Sequence, residues 1–394
     1  MIFFANVDNW RLSIARAKVI SRNLSMRFLL LSLVTCHLSL LMLSSFASAQ
    51  KKDDKKDEKK EPTETLKIER VTQGMGLYAI GPLSPDRKLV LLLAQKPEQA
   101  PNLYVMNLTN RSIRPSLTSF RWGAVDPAWS PDGQTVALAG FSESGSFAEI
   151  YLLDLKTGKL RQMTKNAFSD KEPVFAPDGK QIFYTTDESP LPDAAFGILH
   201  VARIAVAGGK GDWFTQEESS SIHPGIGEDG KSVLLVKVSD ASGRHSLWQY
   251  DLAGKPLLDL TETRFARIHR YLFNPAGDSL ILWAQEEAEQ QDNLFILDLK
   301  SGKVTDLPDP DQHKRSPALS ADGKLIAFIS PTDQGTQLFV YDSTTGQIQQ
   351  LTYKPGNAHS PVFISDHEIM FGSNRDREPE LYVVDLTPPP DKKK

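Results

Sequence analysis

Charged and imidazole side chains recur along this chain, each just before a short apolar strand. They include acids, bases and histidines: Asp126, Lys171, Glu172, His223, His269, Arg270, Arg315 and His359. If brought together, such side chains could bind an anionic ligand, a peptide terminus or a metal ion. They could equally cap strand ends in solvent, and the residues themselves leave both interpretations open.

A metal site needs two or three histidines that converge with suitable geometry. The candidate histidines stand far apart in the chain, and no closely spaced His pair or acidic calcium loop accompanies them. The segment Gly140–Ser144 fails the serine-hydrolase Gly-x-Ser-x-Gly pattern at its last position. We therefore predict no metal, no cofactor and no catalytic residue.

The elements that position these side chains follow from a repeat. A turn motif appears in seven copies, beginning at Ser84, Ser130, Ala176, Gly227, Asn274, Ser320 and Ser365. Counted at the Asp column of the motif, from Asp86 to Asp366, its steps run from 44 to 51 residues. A period of about 40–50 residues with several short strands in each unit is typical of a β-propeller.

The second unit shows how one repeat folds. Pro131-Asp132-Gly133 has the chemistry of a tight turn, and apolar strands flank it on both sides. The sequence predicts an all-β fold, a seven-bladed β-propeller of four-stranded antiparallel blades. The last unit lacks its fourth strand, because Pro388-Pro389-Pro390 follows. We expect the alternating segment Leu66–Val71 to pair onto the last blade and close the ring.

Strand polarity predicts where a site would lie. The Pro-Asp-Gly turns share one face, which we call the turn face. The longer second-to-third-strand loops and the blade-to-blade connections share the opposite, loop-rich face, together with the residues that precede each inner strand. Binding residues concentrate on loops held by a rigid frame. The longest unit carries extra residues around Ser189-Pro190-Leu191-Pro192, the first candidate for a specific contact.

The ends of the chain indicate export. An apolar run over residues 28–46, preceded by Arg22 and Arg27, leads to Ala47-Ser48-Ala49. This pattern predicts a signal peptide over 1–49, cleaved after Ala49, with Met26 as a possible true start. A retained membrane anchor is the alternative. We expect a disordered charged tether over 50–64, the propeller over 65–387 and a disordered tail over 388–394.

Charge narrows the choice of partners. The whole chain has a formal net charge of −4, and removing residues 1–49 makes it −8. An acidic domain does not favour nucleic acid or an anionic membrane as partner. The only cysteine, Cys36, lies within the predicted signal, so the mature chain would have no disulfide. We expect a monomer without stable membrane insertion after cleavage.

The repeat resembles a known family. Pro127-Ala128-Trp129-Ser130-Pro131-Asp132-Gly133, followed by Ile150–Leu155 and Lys156-Thr157-Gly158, is similar to the propeller repeat of TolB, the periplasmic component of the Tol–Pal system. Related repeats occur in prolyl-oligopeptidase-type peptidases and some polysaccharide lyases. The chain departs from TolB in lacking its N-terminal α/β domain and in having seven units rather than six.

Three functions remain open at this point. The resemblance implies a secreted or periplasmic scaffold or adaptor that binds another envelope protein or peptide, which is the favoured interpretation. An enzyme such as an oligosaccharide lyase is the first alternative, and a small-ligand or peptide sensor that uses the central channel is the second. Because propellers support all three, the repeat alone does not decide between them.

Overall fold

The structure is a computed structural model, and it describes residues 66–387 except 97, 142, 191–196, 228, 289 and 310–312. The predicted signal peptide, tether and C-terminal tail lie outside the described residues, as does part of the long loop of the third unit. All regular structure in the described part of the chain is β-strand. It forms seven four-stranded antiparallel sheets, which we number as blades along the chain.

The chain starts with β1 (Ile68–Arg70), which belongs to the last sheet. Blade 1 contains β2 (Leu77–Leu83), β3 (Leu89–Ala94), β4 (Asn102–Asn107) and β5 (Ile113–Arg114). Blade 2 contains β6 (Ala124–Trp129), β7 (Thr135–Phe141), β8 (Ala148–Asp154) and β9 (Leu160–Gln162). Blade 3 contains β10 (Asp170–Phe175), β11 (Gln181–Thr186), β12 (His200–Ala205) and β13 (Asp212–Trp213).

The later blades repeat this arrangement. Blade 4 contains β14 (Ser220–Ile226), β15 (Ser232–Val238), β16 (His245–Asp251) and β17 (Pro256–Asp259). Blade 5 contains β18 (Arg267–Phe273), β19 (Ser279–Gln285), β20 (Asn293–Asp298) and β21 (Val304–Asp306). Blade 6 contains β22 (Arg315–Leu319), β23 (Leu325–Thr332), β24 (Gly335–Asp342) and β25 (Gln347–Gln350). Blade 7 has β26 (Ala358–Phe363), β27 (Glu368–Ser373) and β28 (Glu380–Asp385), and the predicted seven-bladed propeller is confirmed.

Blade 7 is completed by the N-terminal strand. Its strand order is β1-β28-β27-β26, so the fourth strand comes from the start of the propeller. Ile68 pairs with Val384 and Arg70 with Tyr382, in antiparallel register. The predicted closure is therefore confirmed. Closure joins the first and last units and pairs the outer edge of β28.

A recurring threonine shows that β1 replaces a true fourth strand. Thr72, just after β1, accepts a 2.9 Å hydrogen bond from the Leu381 N–H. Equivalent bonds are made to the hydroxyl oxygens of Thr118, Thr164, Thr215, Thr261 and Thr352. The borrowed strand thus keeps the register of an intact blade.

A buried carboxylate fastens this closure. Glu380 is fully buried at the start of β28 and accepts hydrogen bonds from the Thr72 hydroxyl at 2.6 Å and from the Gly74 N–H. The guanidinium of Arg70 pairs with the same carboxylate at 3.0 Å. A buried carboxylate is tolerated only when its oxygens are satisfied in this way. Glu380 therefore links two segments separated by 306 residues or more.

The hydrophobic core is divided among the junctions between blades. The junction of blades 1 and 2 packs Leu91 and Val105 against Val136 and Leu138. The closing junction packs Leu92 of blade 1 against residues of blade 7 that include Met370, Leu381 and Val383. Because both faces of each sheet are covered by a neighbour, the middle strands are apolar almost throughout. No helix in the described residues is long and apolar enough to span a membrane.

Replacing Glu380 with alanine tests the closure. The Thr72 hydroxyl and the Gly74 N–H would lose their acceptor, so we expect the free energy of unfolding to fall by about 2–4 kcal/mol. The exposed neighbour Glu378 provides the control, since Glu378→Ala should change stability by less than about 0.5 kcal/mol. Chemical denaturation followed by intrinsic fluorescence measures both. Equal effects of the two substitutions would contradict the role assigned to Glu380.

Candidate functional site

The innermost strands carry a backbone irregularity at the loop-rich end of the channel. The first strands of neighbouring blades contact one another around the axis. In five of them one equivalent residue has a left-handed φ: Asp126 (51°), Glu172 (55°), His223 (55°), Ser316 (53°) and Ser360 (49°). The pairing register shifts at each of these points, as in a β-bulge. Bulges re-aim side chains and are common next to binding sites.

Two of these bulged residues form an ion pair between blades 3 and 4. A carboxylate oxygen of Glu172 lies 2.8 Å from Nδ1 of His223. The other oxygen accepts hydrogen bonds from the Thr185 hydroxyl at 2.8 Å and from the His223 N–H at 3.2 Å. The bulge thus places the backbone and the ring of His223 on the same carboxylate.

A second ion pair crosses from blade 5 to blade 2. Arg270 lies 3.8 Å from Oδ1 of Asp126, and the arginine side chain is 65% exposed. The four residues Asp126, Glu172, His223 and Arg270 therefore bring consecutive blades together at one end of the channel. We call this group the channel-mouth cluster.

The pKa values of the two carboxyl groups in the cluster are shifted in opposite directions. Burial and the negative charge of Glu172 raise the pKa of Asp126, and Arg270 and Lys171 offset this only in part. Burial also opposes ionisation of Glu172, but His223 and the hydrogen bonds from His223 and Thr185 outweigh it and hold the pKa of Glu172 well below its ordinary value. Glu172 is therefore the permanently charged acid, and Asp126 is the one closer to protonation.

The other predicted residues, Lys171, His269, Arg315 and His359, each lie one position earlier in the inner strand than the residue equivalent to Glu172. His269 stacks on Trp283 with ring centroids 4.7 Å apart and lies 2.9 Å from Asp292, which His313 also contacts at 3.1 Å. The ammonium of Lys171 lies over the ring of Phe141 at 5.5 Å. Both side chains make contacts outside the channel-mouth cluster, and the charge of Lys171 also acts on Asp126.

Arg315 and His359 complete the predicted set. Arg315 is half-buried at the start of β22 and makes no ion pair within the described part of the chain. His359 lies against Gly372, its cross-strand partner, and burial lowers the pKa of its imidazole to about 4. The described residues contain no group of three or more His, Cys, Asp or Glu able to hold a metal ion.

Sequence inspection missed two partners of these residues. Thr185 binds Glu172 from the neighbouring strand, and Asp292 holds two histidines from the loop before β20. Thr185 could have been found from the antiparallel register, because it is paired with Lys171 next to the bulge. Asp292 lies in a polar loop that gives no such signal.

Comparison with known proteins places the chain in a family. The model of the TolB beta propeller domain matches residues 67–291, more than half of the sequence, and the chain belongs to this family. A relative is the Tol-Pal system protein TolB of Francisella tularensis subsp. holarctica (strain OSU18), 23% identical over 210 residues, which are 53% of this chain and 46% of that protein. The chain thus spans about half the length of the curated relatives it matches.

Solved structures share the architecture. An oligogalacturonate lyase from Vibrio parahaemolyticus aligns with a TM-score of 0.63 at 14% identity, over 82% of this chain and 94% of that one. TolB from Acinetobacter baumannii aligns with a TM-score of 0.50 at 19% identity, over 74% of this chain and 67% of that one. At these identities the similarity shows the fold alone.

His359 gives a prediction for pH dependence. Its pKa of about 4 in the folded protein lies below the ordinary 6.5, so its contribution to stability is complete above pH 6.5 and is lost as the pH falls toward 4. In His359→Gln, the stability lost between pH 6.5 and pH 4 should therefore be about 2–3 kcal/mol smaller than in the unsubstituted protein.

Denaturation at several pH values between 4 and 7 measures the effect. His367→Gln, at an exposed position in the same blade, is the control and should leave the profile unchanged. A profile of His359→Gln that parallels the unsubstituted protein would contradict the assigned pKa.

Proposed function

We propose that this chain is a protein-binding propeller of the cell envelope, secreted or periplasmic, and that its partner docks on the loop-rich face at the channel mouth. The observation that carries the proposal is the convergence of Asp126, Glu172, His223 and Arg270 from four blades. Bulges on paired strands fix the positions of Asp126, Glu172 and His223, and Arg270 lies on a paired strand opposite Trp283. A site held by rigid elements needs little ordering when it binds.

Arg270 is the group best suited to meet a partner. Its side chain is mostly exposed, and its contact with Asp126 is at the long end of ion-pair distances. The carboxylate of Asp126 is largely buried and the guanidinium is the exposed half of the pair, so Arg270 can meet a carboxylate of a partner while it stays beside Asp126. An acidic side chain or a C-terminal carboxylate of another envelope protein would fit this chemistry.

Membership of the TolB propeller family supports an envelope role, and the relatives carry the name Tol-Pal system protein. The predicted signal peptide supports export to the same compartment. The sharing of a fold with an oligogalacturonate lyase leaves an enzyme acting on an acidic oligosaccharide as the competing hypothesis.

The proposal predicts the effect of charge reversal at the mouth. Tagged protein comprising residues 50–394 would be used to recover partners from envelope extracts of the producing organism, with quantification by mass spectrometry. Arg270→Glu should reduce recovery of the partner at least about tenfold, equivalent to ~1.4 kcal/mol.

Lys156→Glu gives the matched control, because it makes the same change of charge at an exposed position on the turn face. It should leave recovery unchanged. Equal recovery by Arg270→Glu and the unsubstituted protein would contradict docking at the mouth. Turnover of oligogalacturonate by the purified protein with added divalent metal would favour the enzyme instead.

A further inference from the structure

Blade 5 departs from the other blades at the residue that follows the bulge position. In the five blades with a left-handed residue at that position, the next residue is a proline: Pro127, Pro173, Pro224, Pro317 and Pro361. In blade 5 the next residue is Tyr271, and its predecessor Arg270 has no left-handed φ. Proline offers no donor, whereas the hydroxyl of a tyrosine can donate a hydrogen bond to a neighbouring blade.

The half-buried side chain of Tyr271 packs on blade 4, where it meets two backbone carbonyls. Its hydroxyl lies 2.8 Å from the carbonyl oxygen of His223 and 2.8 Å from that of Leu234. These carbonyls belong to the paired strands β14 and β15, whose register shifts between Ile222 and Gly225. A bulge leaves its extra residue without ordinary ladder partners, and the tyrosine hydroxyl supplies a donor at this point.

A glycine makes room for this contact. Gly225 lies inside β14, and its φ is not left-handed, so its backbone conformation does not require glycine. A Cβ at this position would lie 2.5 Å from the hydroxyl oxygen of Tyr271. Glycine in a strand interior often marks such a close approach. Gly225 thus leaves the space that the tyrosine hydroxyl occupies.

The backbone of His223 is held from both neighbouring blades. Its N–H donates a 3.2 Å hydrogen bond to Glu172 of blade 3, and its carbonyl accepts one from Tyr271 of blade 5. A left-handed φ is a strained conformation for a residue other than glycine, and it persists only where the surroundings fix it. The two bonds fix it here, and the same conformation places the imidazole 2.8 Å from the Glu172 carboxylate.

Tyr271 and Arg270 are consecutive in β18 and contact different parts of the channel-mouth cluster. Arg270 reaches Asp126 of blade 2, whereas Tyr271 reaches His223 of blade 4. Burial and the negative charge of Glu172 raise the pKa of Tyr271 far above its ordinary value. The hydroxyl therefore keeps its proton and remains a donor.

We infer that Tyr271 is a positioning residue of the channel-mouth cluster, whose hydroxyl holds the bulge at His223 and so keeps the His223 imidazole against Glu172. Arg270, its neighbour in β18, is thereby set at a fixed position relative to the Glu172–His223 pair. This inference rests on the proposed function at the channel mouth and names the residue that preorganises that site.

Tyr271→Phe removes only the hydroxyl and tests the inference. The carbonyl of His223 then loses its donor, the bulge relaxes, and Glu172 loses contact with the ring and the N–H of His223. Burial, which opposes ionisation of Glu172, is no longer outweighed, so the pKa of this carboxyl should return toward its ordinary 4.5. NMR of the ¹³C-labelled carboxyl, assigned with Glu172→Gln, measures the change: it should titrate between about pH 6 and pH 4 in the variant and stay ionised in the unsubstituted protein.

Gly225→Ala provides a second variant, because the added methyl group displaces the hydroxyl of an unaltered Tyr271. It should cause the same change at Glu172 and should add less in the Tyr271→Phe background, where the hydroxyl is already gone. Tyr353→Phe is the matched control. It removes a 2.9 Å hydrogen bond to the Gln350 carbonyl at the outer strand of blade 6, and it should leave Glu172 ionised.

Recovery of the partner from envelope extracts connects Tyr271 with the proposed site. Tyr271→Phe should lower recovery at least about threefold although Arg270 is unchanged, because the site is no longer preorganised. Tyr353→Phe should leave recovery unchanged. Circular dichroism checks that each variant is folded, and if Tyr271→Phe is not, Gly225→Ala gives the same test.

A Glu172 carboxyl that stays ionised in both Tyr271→Phe and Gly225→Ala would overturn the inference, as would an equal change in Tyr353→Phe. Undiminished recovery by Tyr271→Phe, with recovery lost in Arg270→Glu, would also overturn it, because the cluster would then bind without this positioning. If no partner docks at the mouth, the proposed function fails, but the titration of Glu172 still tests the role of Tyr271. The two failures are therefore distinguishable.

Discussion

Closure of the ring is the constraint on which the other features depend. The two ends of the ring are joined where β1 pairs with β28, and Glu380 fastens that pairing by accepting hydrogen bonds from Thr72 and Gly74 and by pairing with Arg70. The apolar core is divided among the blade junctions, so an open ring would expose one whole junction to water. Closure also holds the inner strands at fixed positions around the axis. The site residues can therefore converge from blades that are far apart in sequence.

The bulges place the residues of the proposed site on this frame, at the loop-rich end of the channel. In five of the seven blades a left-handed residue lies at the loop-rich end of the inner strand, and the bulge there re-aims its side chain. Because the bulge recurs, it belongs to the fold, whereas the residue that occupies it differs between blades. Asp126, Glu172 and His223 occupy this position in blades 2 to 4, whereas Ser316 and Ser360 occupy it in blades 6 and 7, so the titratable residues at this position come from one side of the ring. The residues of the proposed site thus differ between blades, whereas the backbone conformation that presents them recurs.

Much of this architecture could be predicted from the sequence. Seven turn motifs count the blades, and the missing last strand together with the alternating Leu66–Val71 segment predicts the closure. A threonine that directly follows an apolar residue, as at Thr72, Thr118 and Thr164, is a further signal, because it marks the end of the outer strand in these blades.

The alternation of side chains along a strand limits prediction of the site. His269 and Arg270 are adjacent, so they cannot both face the channel, and only the bulge decides which does. The close approach of Gly140 to Phe120 likewise leaves no local pattern, because the two residues are 20 positions apart in the chain.

Photo-crosslinking in living cells tests the central claim, that a partner protein docks at the mouth, most directly. Ser316 and Ser360 occupy the bulge without taking part in the charged cluster, so a photoreactive amino acid can replace either one there. Thr157, exposed on the turn face, is the matched control position. We expect both mouth positions to crosslink to the same envelope protein and position 157 to give no such product. Crosslinks to that protein from position 157 alone would contradict the account.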